Sequence, residues 1–195
     1  MLKYIKGTDY TVFDHVLFVG LVQAQFPGAE VSSEGDNPNL GTPGFVTVNL
    51  PEADHTAVLA ILTTGLPAAI AAQQLAQAKA QACASITAAM NATMYGLFTD
   101  SVGNTWQVDQ NSRALMTGTE AKIASGMLLP DNFAWLNLAN LPVSMTATSF
   151  KALTAATFAW TQNVFAASLQ AKAAVMALTT VAAVQTYPIP AWPVA

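Results

Sequence analysis

Between Thr146 and Leu178, apolar or small residues return every three to four positions: Phe150, Leu153, Thr157, Trp160, Val164, Ala167, Ala171, Ala174 and Leu178. That spacing follows the 3.6-residue turn, so the stretch predicts a helix of about four heptads, capped by Thr146 or Thr148. A helix with such a seam must cover it. Two coverings are open: a second helix of the same chain, or copies of this helix in an interchain bundle. The residues expected at an interchain interface are Phe150, Leu153, Trp160, Val164 and Leu178, together with Trp192 in the tail.

The rest of the chain divides by composition. Residues 1–75 carry a net charge of −5 and residues 76–195 a net charge of +1, with a break near residue 66. The expected organisation is a small α+β module over 1–66, a helical module with short hairpins over 67–186, and an extended Pro-rich tail over 187–195. In the first module, Leu2–Ile5 predicts a strand. Thr8 or Asp9 would cap a helix with Val12, Val16, Val19 and Ala24 inward, Ala29–Ser32 is extended, and Phe45–Leu50 alternates as a half-buried strand. Asp54 would cap a second helix that stops before Gly65. The order β-α-β-β-α suits two helices on one face of a small sheet.

In the second module, Pro67–Tyr95 predicts a long alanine-rich helix with Leu75, Lys79, Ala82, Cys83, Ile86, Met90 and Met94 along one side. Leu97–Asp109 predicts a hairpin turning at Gly103-Asn104, and Asp109 a cap for a helix ended by Gly126. Phe133–Met145 holds two short extended runs around Asn137–Asn140. The fold class is therefore α+β.

Charge decides what such a chain can do. Only 9% of its 195 residues are charged while 53% are apolar, against about 25% charged in an ordinary soluble domain. Disorder is excluded, and seven basic residues are too few to neutralise a run of phosphates, so no nucleic-acid partner is expected. The lone Cys83 excludes a disulfide framework. No membrane span or signal peptide is expected: Thr63, Thr64, Gly65 and Pro67 break the apolar run Leu59–Ala72, and Asp14 and His15 interrupt the N-terminal one. A surface this thin in charge is instead suited to permanent burial against other chains.

Chemistry is sparse. Asp14 and His15 are adjacent and diverge by about 100° on a helix. Asp54-His55 stands at a helix start, and neither histidine has a second ligand at metal-binding spacing. Cys83 lies among alanines with no basic neighbour to favour the thiolate. Glu34 and Asp36, with Asn37 and Asn39, lack the alternation of a calcium loop and read better as a solvated turn. Glu52/Asp54 is a second acidic pair without a partner set. No catalytic residue, cofactor or metal is expected, and the chain is read as non-enzymatic.

Four segments, in order, carry a resemblance. They are AQACASITAAM around Cys83, LFTDSVGNTWQVD running into DQNSRALMTG, FAWLNLANLPVSMTATSFKAL, and LQAKAAVMALTTVAAVQTY. From about Ala76 to Tyr187 this order resembles a C-terminal domain of uncharacterised function that recurs in bacteriophage tail-fibre and tail-assembly proteins. The resemblance supplies no catalytic residues. It implies a structural subunit of a phage tail or baseplate, located in the virion, with itself and other tail proteins as partners. Threefold symmetry is implied only by analogy with fibres. The alternatives are a fibre-assembly chaperone absent from the virion, or a host-binding module in which Trp106 or Trp135 stacks on sugar.

Overall fold

The computed structural model describes residues 1–36 and 43–193. The chain is α+β, 56% helical and 14% strand, and forms two compact units, Met1–Gln77 and Ala78–Ala195.

In the first unit, β1 (Leu2–Ile5), β2 (Val31–Glu34) and β3 (Phe45–Val48) form an antiparallel sheet in the order β1-β3-β2. β3 is central, with Val46 opposite both Tyr4 and Ser33. The helix α1 (His15–Gln25) starts later than the sequence predicts, because Asp14, not Thr8 or Asp9, accepts the Leu17 amide as the N-cap. The later start rotates the inward face: Phe18 and Val22 are buried while Val12 and Val16 are exposed.

The helix expected to stop before Gly65 does not stop. A 3-10 turn at Glu52–Asp54 leads into α2 (His55–Ala60), a π turn at Ile61–Gly65 and α3 (Leu66–Met94). Pro67 lacks an amide and its ring would collide with the carbonyl four residues back. The wider π turn just before it, where the Leu66 amide donates to Ile61 O, relieves that crowding. The continuous helix Glu52–Met94 contains an 18-residue window of mean hydropathy 1.6, with 22% of it buried, and is by length and composition long enough to cross a membrane. A count of uninterrupted apolar residues misses this. Four of its apolar residues, Val58, Ile61, Leu62 and Leu66, are packed in the first unit's core with Tyr4, Phe18 and Val46.

In the second unit, the hairpin β4 (Leu97–Thr99) and β5 (Thr105–Gln107) turns through Gly103, whose φ of 90° favours glycine. α4 (Gln110–Ala124) is capped by Asp109, which accepts the Ser112 amide, and is followed by Gly126 at φ 84°. The hairpin β6 (Ala134–Leu136) and β7 (Pro142–Ser144) leads into α5 (Ala147–Ala177). Thr146 caps α5 in a reciprocal box with Ser149. A short helix, α6 (Val181–Gln185), follows.

Candidate functional site: the surfaces of the second unit

Several residues of the types that usually carry chemistry take part in local contacts. His15 Nδ1 lies 2.9 Å from Ser33 Oγ, and His55 stacks on Tyr4 at 5.4 Å. Cys83 is half-buried and unpaired. Asp36 pairs with Lys6 and accepts the Gly44 amide at 2.8 Å, while Asn37 and Asn39 lie outside the described residues. Among the described residues, no three His, Cys, Asp or Glu side chains come together as a metal site would require.

The seam read from the sequence folds inward. Phe150, Leu153, Trp160 and Val164 are all buried in one cluster with Met90, Phe98, Trp106, Val108 and Met116. Phe98 meets Trp160 at 5.5 Å between ring centroids, and Phe133 and Trp135 meet Phe150 at 5.6 and 5.2 Å. These four residues are core residues of this chain, and the interchain assignment given to them is corrected accordingly. The physical reason is that the two hairpin regions supply aromatic side chains, and α4 and the end of α3 supply Met116, Met90 and Met94, enough apolar surface to cover the seam from within. Leu178 is half-buried and caps α5 from beyond its last turn. Trp192 packs on the same cluster, and Trp160 Nε1 donates to Pro193 O at 2.9 Å, which fixes the tail.

Between the β4–β5 hairpin and α5 lies a cleft of about 550 Å³, lined by Phe98, Val102, Met145, Leu153 and Trp160, with Asp100 at its edge. The Asp100 carboxylate is not free to act as a base. Its Oδ1 accepts the amides of Val102 and Asn104 at 3.0 and 2.9 Å, and its Oδ2 accepts Trp106 Nε1 at 2.9 Å. Burial pushes this carboxyl up, but the bonds from Trp106, Asn104 and Val102 outweigh it and hold it below the usual carboxylate range. Trp106 is fully buried, so it has no face for a sugar to stack on. Trp135 is half-buried against Phe133 and Phe150.

Arg113, the single arginine, joins three elements. Nε donates to Val108 O at 2.9 Å, and Nη2 donates to Thr161 Oγ1 at 3.0 Å and to Met94 O at the end of α3. It faces the Tyr95 ring at 5.1 Å. Burial pulls its pKa down, and among the described residues no carboxylate pairs with it.

Sequence reasoning missed a second row on α5. Phe158, Phe165, Leu169 and Met176 are 44–66% exposed. At 100° per residue they fall within about 20° of one line along the helix, beside the buried face. The signal was present in the spacing but was masked by the stronger inner seam. Leu115 on α4 and Val102 at the hairpin tip are also exposed.

These features define an α+β chain whose second unit is a packed helical scaffold with apolar outer surfaces and structurally committed polar groups. Residues 77–187 match the family model described as a domain of unknown function, DUF4376; the match spans more than half of the chain, and the chain belongs to that family. No curated protein and no solved structure matches it.

Proposed function

We propose that this chain is a non-enzymatic structural subunit that works by association, in several copies and with other proteins. Following the resemblance of residues 76–187, its setting is a bacteriophage tail or baseplate and its location the virion. The observation that carries the reading is the row of large apolar side chains left in water on α5, on a chain in which 9% of residues are charged. Such a surface is costly to hydrate and is relieved by a partner. The commitment of Asp100 to turn hydrogen bonds and of His55 to stacking on Tyr4 supports the non-enzymatic part of the reading.

Mass spectrometry of purified phage particles encoding this chain tests it. The expected result is the intact chain at copy numbers comparable to other tail proteins. Its absence from particles, with presence in infected-cell lysates, would favour the assembly-chaperone alternative.

A further inference from the structure

We propose that the outer row of α5 is the surface through which two copies of this chain pair, their α5 helices antiparallel across a two-fold axis at the level of residue 167. This rests on the reading that the chain acts by association, and it names the surface and the geometry.

Spacing is the first support. The intervals along Phe158, Phe165, Leu169 and Met176 read the same from either end. In an antiparallel two-fold contact residue i meets j while j meets i, so a spacing that reads the same both ways sets large side chains against large side chains. Antiparallel pairing sets Phe158 against Met176 of the partner subunit and Phe165 against Leu169 of the partner subunit, so every position meets a large apolar group. The thioether on the phenyl ring adds a favourable sulfur–aromatic contact.

Charge is the second support. Gln162 and Lys172 flank the row, about 40° to either side of its line. In the antiparallel arrangement the two copies of Lys172 lie on one edge of the contact, staggered by about 15 Å along the pair. A parallel, in-register pair would instead hold them at the same level, which is repulsive. Antiparallel helices also align their dipoles favourably.

Area is the third. From their exposed fractions and ordinary side-chain areas, the four residues offer on the order of 500 Å² per copy. The exposed Ala155, Ala166 and Ala173 and the alkyl stem of Lys172 extend this toward the ~800 Å² per partner of a stable interface. Small alanines at the flank let the helix axes approach to about 8–10 Å.

The test uses the full chain. Light scattering across a concentration series is expected to give a dimer, and Phe165→Asp with Leu169→Asp is expected to raise its dissociation constant at least about 100-fold. Tryptophan emission and far-UV circular dichroism should not change, since both positions are exposed. In a Cys83→Ala background, Phe158→Cys chains mixed with Met176→Cys chains should form a disulfide-linked heterodimer. Neither alone should cross-link, because like positions lie ~27 Å apart along the pair. Cross-linking of Phe158→Cys with itself would overturn the antiparallel arrangement. A dimer that survives the double Asp variant would overturn the surface but not the association reading. A wild-type monomer that is nonetheless present in particles would overturn the pairing and leave the structural role standing.

Discussion

Replacing Asp100 by Asn changes one atom and one charge at the turn that shapes the cleft. The Asn carbonyl oxygen can keep the two backbone amides of Val102 and Asn104, but its NH₂ then faces Trp106 Nε1, a donor set against a donor. Leaving the indole N–H buried without an acceptor costs about 1–3 kcal/mol. The remaining bonds lose their charge assistance, which roughly halves them, so the expected loss is about 2–3 kcal/mol. The four tryptophans, Trp106, Trp135, Trp160 and Trp192, all lie in the second unit, so urea unfolding followed by tryptophan emission reads that unit alone. The pH dependence supplies a second check. The Asp100 carboxyl is held below its unfolded value, so its contribution is complete above about pH 4 and is lost as pH falls through the lower folded value. The gap between wild type and Asp100→Asn should therefore close in acid. A variant within about 0.5 kcal/mol of wild type at pH 7, or a gap independent of pH, would refute the assignment of the carboxylate as the anchor of the turn.

Two further outcomes are expected. Arg113→Ala should destabilise the second unit by about 3 kcal/mol in the same urea assay, since Val108 O, Thr161 Oγ1 and Met94 O lose a charged donor; Arg113→Lys should restore less than half, because an ammonium cannot fork to three acceptors. Tyr4 is pushed up to about 12, first by burial and then by Asp9. Its unfolded form ionises near 10, so stability of the first unit is complete below pH 10 and falls as pH rises toward 12. Tyr4→Phe should reduce that alkaline loss in a circular-dichroism titration, leaving the part due to Tyr10, whose hydroxyl burial also pushes up.

Much of the fold was legible in local chemistry. Asp109, Thr146, Gly103 and Gly126 act as caps and turns because their side chains or dihedrals satisfy nearby backbone groups, which needs no knowledge of distant residues. The α3 side from Leu75 to Met94 also faces inward as its period required, with Ile86 and Met90 buried. What failed depended on tertiary context. The start of α1 fell to Asp14 and not to either expected cap, Thr8 or Asp9, and Gly65 gave no sign that a π turn would carry the helix past Pro67. On α5 the period showed that Phe150, Leu153, Trp160 and Val164 share a face, but not whether the cover is internal. The inner row also drifts: Ala171 is buried, then Val175 in place of the expected Ala174, because 3.6 does not divide seven.

Helix α5 carries two greasy edges and leaves one side for hydration. Once its inner edge is sealed within the chain and its outer edge is matched to a twin, no further apolar strip remains on that rod. A contact of this kind terminates at two members and does not propagate into a filament. Paired in that way, the chain would enter any larger particle as a finished double unit, gripped elsewhere, with α5 acting as an internal strut.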